Sequence, residues 1–147
     1  MSNTLLINVI RKKLLTVTAI TNLIGTNIWK YYLHKKLNGT AEYAIVVDVG
    51  SGPPVGNNSS LNLPIARIYC YADHDAGKYN GEDKCWQLYH EVNNIMHFQQ
   101  HEKQTWNGVP ILNSIKASEP VLDKDKDTEV NYIYVTYNME VIYANYV

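Results

Sequence analysis

Asp73, His74 and Asp75 stand in a row within "ARIYCYADHDAGKYNGEDKCWQLYHEV". Side chains of these three types ligate divalent cations. A metal site needs further ligands converging from elsewhere in the chain, and only His34 is an arguable candidate. The simpler reading is a polar strand-to-helix connection in which an Asp bonds nearby backbone amides. His90, His97 and His101 lie near one side of the helix that follows, with His97 and His101 at i, i+4. No HExxH is present, because Phe98, Gln99 and Gln100 follow His97, so a solvated helix flank is the expectation. Asp123, Asp125 and Asp127 imitate the first three ligands of an EF-hand loop. The sixth position is Thr128 where glycine is needed, and the twelfth is Tyr134 where glutamate is needed. A charged hairpin tip that discourages edge-to-edge aggregation fits better. Gly50-Ser51-Gly52 begins like a phosphate loop, but Pro53 and Pro54 remove two amide donors and no Lys-Ser/Thr follows. Neither cysteine belongs to a Cys/His arrangement, and there is no GxSxG. The sequence carries no catalytic constellation, no metal site and no cofactor motif.

The bulk properties bound what the chain can be. It has 147 residues, the length of one domain. A chain of that length buries roughly 70% of its unfolded surface, enough for one ordinary core. Apolar residues make up 46% and charged residues 18%, a globular balance. The formal net charge of −1 argues against a broad basic surface that grips nucleic acid by its phosphates. No run of about eighteen or more apolar residues occurs, so no membrane span is expected. The N-terminal "MSNTLLINVIRKKLL" places its positive charges after the apolar residues, opposite to a secretory signal. Cys70 and Cys85 are therefore expected to be reduced and partly buried. The Asn38, Asn57 and Asn58 N-x-S/T triplets mean no more than loop chemistry. Twelve tyrosines against one phenylalanine are unusual. Tyrosine suits half-buried sheet faces and interfaces, where one end of the ring is dry and the other wet.

These residues must be held by elements that the hydrophobic spacing predicts. Leu6, Val9, Ile10, Leu14 and Val17 recur at helical intervals, with Ser2 or Asn3 available as a cap. Ile20, Leu23 and Ile24 continue as a short second helix, with Thr18 at the cap and Gly25 at the left-handed C-terminal position. "NIWKYYL" predicts a short strand over Asn27 to Leu33, and His34 to Glu42 a loop. "YAIVVDV", Tyr43 to Val49, is β-branched and reads as a central strand. Gly50 to Ser60, with three glycines, two prolines and two asparagines, reads as a long loop. A strand over about Leu63 to Ala72 puts Ala66, Ile68, Cys70 and Ala72 on one face and Ile65, Arg67, Tyr69 and Tyr71 on the other. From Glu82 a helix presents Cys85, Leu88, Tyr89, Val92, Ile95 and Met96 to the sheet. Asn107-Gly108 marks a turn before a strand over Val109 to Ser118. Asp123 to Asp127 forms a charged turn. The last strand alternates Ile133, Val135, Tyr137, Met139 and Val141 with Tyr132, Tyr134, Thr136, Asn138 and Glu140. The fold class is α+β: a single domain, residues 1–147, with a mainly antiparallel sheet and helices packed on one face.

"IRKKLLTVTAITNLIGTNIW", "YAIVVDVGSGPP", "ARIYCYADHDAGKY" and the final long strand, in this order, resemble the tail-completion or tail-terminator family of tailed bacteriophages. In that family an N-terminal helix precedes a short "AITxLIGTxI" helix, then an "AIVV" strand, a glycine-rich loop, and a strand entering a helix. The resemblance spans nearly the whole chain. Tyr43 stands where members often have Pro, and the stretch from Gly77 to Gly81 departs from the usual pattern.

The resemblance implies a structural virion protein of the tail or neck, assembled in the host cytoplasm. It implies a homo-oligomeric ring, a hexamer, that stops tail-tube polymerisation at the head-proximal end. The partners it implies are the tail tube protein and a neck or head-completion protein. DNA passes through the lumen without specific binding, which a near-neutral chain suits. In such a ring the Gly50–Ser60 segment can reach a neighbouring ring. Gly52, Pro53, Pro54, Val55, Asn57 and Asn58 are its candidate contacts, and Lys124, Asp125 and Lys126 of the charged tip are the second set. The competing readings are another neck ring, stopper or head-tail adaptor, and a small metal-dependent enzyme built on Asp73, His74, Asp75 or the helix histidines.

Overall fold

The computed structural model describes residues 3–32, 43–50, 61–73, 81–125 and 130–142. Helix α1, Asn3–Leu15, buries Leu6, Ile7, Val9, Ile10 and Leu14. Lys12 and Lys13 occupy its last turn, where positive charge complements the helix dipole. Two residues, Thr16 in a turn and the extended Val17 (φ −96°, ψ 113°), separate it from α2, Thr18–Ile24. Thr18 was expected to cap α2, but it is the first helical residue, and Val17 at the cap position makes no side-chain capping bond. The Val17 carbonyl instead accepts the Ile20 and Thr21 N–H groups at 3.0 Å each, so the helix starts one residue before a Thr18 hydroxyl could close it. Gly25 ends α2 at the expected position and at positive φ (60°), with its N–H on the Thr21 carbonyl, but its ψ of −113° lies outside the left-handed helical region expected of it.

Eight strands form one sheet in the order β1-β2-β4-β8-β6-β5, with β3 and β7 also paired to β8. Strand β1, Ile28–Lys30, runs parallel to β2, Tyr43–Gly50, and every other pair is antiparallel. Strand β4, Ile65–Ala72, lies between β2 and β8, Asn131–Ile142. Because β8 is long, it takes two partners on each side. On one flank lie β4 and the short β3, Leu61–Asn62. On the other lie β6, Val109–Lys116, and β7, Val121–Lys124. Strand β5, Gln104–Trp106, joins β6 through Asn107 and Gly108, both at positive φ (49° and 82°). That pair of angles is the two-residue turn whose twist matches antiparallel strands.

The three short strands β3, β5 and β7 were not foreseen. Each has two to four residues, too few for a visible alternation. Two predicted strands are shorter than expected. β1 stops at Lys30 because Tyr31 takes φ 68° and the Tyr32 N–H turns back to the Lys30 carbonyl at 2.8 Å. β6 stops at Lys116. Gly50, expected to open the loop, is the last residue of β2, paired with Ile65.

Helix α3, Gly81–Met96, begins with Glu82 and Asp83 in its first turn, where the dipole favours acids. It buries Cys85, Leu88, Tyr89, Val92 and Met96 against the sheet face carrying Ala66, Ile68, Cys70 and Ala72. Ile95, expected on this buried stripe, is only partly buried at its margin. All three helices share one core with Ile45, Val47, Ile68, Ile111, Ile133, Val135 and Tyr137, so they cover the same face of the sheet. Helix α1 touches β2 on one half of the sheet and β5 at the far edge. The sheet therefore curls around its helices, leaving its other face turned outward. The fold is α+β, as its sequence pattern predicts.

Candidate functional site

Among the described residues, those first suspected of chemistry do not converge. Asp73 is buried at 5% exposure, and its carboxylate acts on Lys84 in the first turn of α3. Burial lowers the Lys84 pKa and Asp73 opposes that shift. His74 and Asp75 lie outside the described residues. Helix α3 ends at Met96, so His97 and His101 do not share a helix face. The His97 Nδ1 accepts the Lys116 N–H at 3.0 Å, and His101 sits in a separate 3-10 turn, 3.3 Å from Glu102. His90 stays on the exposed flank of α3 beside Trp86 and Tyr89. Among the described residues no group of three His, Cys, Asp or Glu could hold a metal ion. Cys70 and Cys85 are free and fully buried. Burial pushes the Cys70 thiol up and the Cys85 thiol up to about 12, so neither supplies a thiolate near neutral pH.

The outward face of the sheet is organised differently. Pleat alternation puts Trp29 on β1, Ala44 and Val46 on β2, Tyr69 and Tyr71 on β4, and Tyr132 and Tyr134 on β8 together on this side. Register aligns Val46, Tyr69 and Tyr134 in one cross-strand row, and Ala44, Tyr71 and Tyr132 in the next. Tyr69 meets Tyr134 with ring centroids 4.8 Å apart, and Tyr71 meets Tyr132 at 5.2 Å. A diagonal contact of 5.9 Å (Tyr69–Tyr132) and one along β4 of 6.4 Å (Tyr69–Tyr71) complete a four-ring cluster. Such offset aromatic pairs stabilise beyond their area burial. Burial pushes Tyr71 up to about 12, helped by the nearby Asp125 carboxylate. It also raises Tyr69 and Tyr132. All three hydroxyls stay neutral at physiological pH and can donate hydrogen bonds.

Two features flank the tyrosines. Asp48 and Arg67, cross-strand neighbours, form an ion pair at 3.1 Å. The guanidinium lies over Gly50, where an added Cβ would come within 2.6 Å of it. Beyond it is a hollow of about 550 Å³. Leu63, Ile65 and Ile115 form its apolar wall, and Asn113, Asn138 and Glu140 supply polar atoms. A smaller recess of about 240 Å³ lies where the end of α1, with Lys12, Lys13 and Thr16, meets the β5–β6 turn.

Of the contact residues proposed from sequence, Gly52, Pro53, Pro54, Val55, Asn57, Asn58 and Lys126 lie outside the described residues. Lys124 is the exposed last residue of β7. The Asp125 N–H bonds the Val130 carbonyl at 2.9 Å, which closes the hairpin at that end. The outward tyrosine pairing was missed as a site. The alternation of Tyr69 and Tyr71 and of Tyr132 and Tyr134 was visible, but nothing in one sequence says that β4 pairs with β8.

Among the described residues no helix is long and apolar enough to cross a membrane. No family model matches the chain, and no curated protein matches it. Among solved structures, the fold is similar to that of a chain from the virion of a native gene transfer agent particle. The TM-score is 0.60 and the identity 10%, and the match covers 93% of this chain and 94% of the other. At that identity the likeness is one of fold.

Proposed function

We propose that this chain is a non-enzymatic structural protein of a phage-like virion, and within it the tail terminator. It forms a ring, a hexamer, at the head-proximal end of the tail tube. There it stops tube polymerisation and offers the head side a docking surface. The observation that carries the virion reading is the fold likeness to a gene transfer agent virion chain over nearly the full length of both chains. The terminator role rests on the resemblance carried by "AITNLIGTNIW", "YAIVVDVGSGPP" and "ARIYCYADHDAGKY". The outward tyrosine face supports assembly, because half-buried aromatic surface is typical of protein interfaces.

In this reading the tail tube protein binds one rim of the ring and a neck or head-completion protein the other. Gly52, Pro53, Pro54, Val55, Asn57 and Asn58 contact one neighbouring ring. Lys124, Asp125 and Lys126 are the second contact set. DNA passes through the lumen without specific binding, and no cofactor takes part. The test is electron microscopy of tails assembled with and without this protein. Uniform, head-joined tails in its presence and over-long, headless tubes in its absence are expected. Tails of normal length that join heads without it would overturn the reading.

A further inference from the structure

The edge strand β1 ends in an uncommon conformation. Tyr31 holds φ 68°, which a non-glycine residue seldom adopts. Its N–H donates to the Val47 carbonyl at 3.0 Å, and the Tyr32 N–H donates to the Lys30 carbonyl at 2.8 Å. This is a γ-turn of the rare left-handed kind. Its consequence is a pair of adjacent aromatic side chains carried outward on a tied backbone, Tyr31 at 49% and Tyr32 at 64% exposure. Strain of this kind persists only where the surroundings enforce it, and it gathers at functional positions.

The same turn helps close the edge of the sheet. The Ile28 carbonyl takes two bonds from the Arg11 guanidinium, at 3.3 and 3.0 Å, and the Lys30 carbonyl is taken by Tyr32. These two acceptors are not open to an added strand.

Resting on the ring reading above, we infer that Tyr31 and Tyr32 of one copy seat in the hollow between Leu63, Ile65 and Ile115 of the next copy. The hollow has the size of a pocket that takes a compact, mostly apolar group. Its apolar wall suits an aromatic ring, and the Glu140 carboxylate and the Asn113 and Asn138 amides can accept from a phenolic hydroxyl. Among the described residues the other large apolar side chains that stand exposed are Leu5 and Val121, and neither carries a donor.

A copy does not fill its own hollow. The tyrosines end β1, and the hollow lies between β4, β8 and β6. Strands sit about 4.8 Å apart, so β1 lies roughly 10 Å from β4, the near wall of the hollow, and roughly 14 Å from β8. A knob at one place and a socket at another make a head-to-tail contact, the kind that closes into rings. The tied backbone lowers the entropy lost on docking.

The test incorporates the photo-crosslinker p-benzoylphenylalanine at position 32 of the full chain. Particle mass is measured before illumination, and the crosslinked peptides are mapped afterwards. A ladder of covalent multimers joined to residues 63–65 or 113–115 is expected. Tyr32→Ser is expected to weaken association at least tenfold with an unchanged melting curve. A ring that crosslinks elsewhere or not at all, or that survives Tyr32→Ser intact, overturns the inference and leaves the ring reading standing. A wild-type chain that stays single at every concentration and gives no crosslink overturns both.

Discussion

The two faces of strand β8 use the same pleat for opposite ends. Toward the helices, Ile133, Val135, Tyr137, Met139 and Val141 are exposed by no more than 1%. Toward the outside, Tyr132, Tyr134, Thr136 and Glu140 are half-buried and Asn138 is exposed. Tyrosine appears on both faces and shows the difference. Tyr137 is sealed in the core, where its hydroxyl donates to the Asn93 side chain at 2.8 Å. Tyr134 stacks on Tyr69 at the surface. The inner face specifies the fold, because each side chain there fills a fixed volume against a helix. The outer face is left half-covered, its tyrosine rings packed on one another and not under a helix.

The comparison is tested hardest in the core. Leu88, fully buried on α3, packs against the sheet. Leu88→Ala should cost about 2–5 kcal/mol in urea unfolding, since removing most of a buried side chain leaves a cavity. A larger truncation outside, Tyr134→Ala, should cost only about 0.2–1 kcal/mol in the isolated chain, the range of a cross-strand pair. Its larger effect should fall on self-association, read by sedimentation. If Tyr134→Ala destabilises the single chain as much as Leu88→Ala does, the outer face is a second core and the contrast fails.

The next effect is that of alkaline pH. Cys85 and Tyr71 have folded-state pKa values of about 12, above their ordinary values of 9.0 and 10.0. Above those ordinary values the unfolded chain releases protons that the folded chain keeps, so stability falls as pH rises. The loss should begin near pH 9 and continue toward 12. Tyr71→Phe should flatten the slope between pH 10 and 12 in thermal melts. An unaltered slope would mean that Tyr71 is not buried as described.

The smallest effect is expected at Asp48. Its ion pair with Arg67 is about one-third exposed on both sides. Asp48→Asn should change stability by less than about 1 kcal/mol, as partly exposed pairs do. A loss several times larger in urea unfolding would make the pair part of the core's support.

The sheet's central strands, the three helices and the inward-outward sorting of β4 and β8 were legible in the sequence, because alternation and 3.6-residue spacing are local. So was the Asn107-Gly108 turn. What was not legible depends on tertiary pairing. The strands β3 and β7 exist because β8 is long enough to bind two partners on each flank. The start of α2 at Thr18 depends on the tight link through Val17. The left-handed Tyr31 has no sequence signature, since tyrosine is not a residue that favours positive φ. The candidate surface was half legible: the tyrosines were noticed, but the register that stacks them was not.

In the proposed ring the outward tyrosine face packs against other copies of the chain. The most direct measurement is particle mass in solution for the wild type and for the double substitution Tyr69→Arg with Tyr134→Arg, each checked for an unchanged far-UV circular dichroism spectrum. A particle of six chain masses is expected for the wild type and single chains for the variant. A wild type that stays a single chain, or a folded variant that still forms the ring, would contradict it.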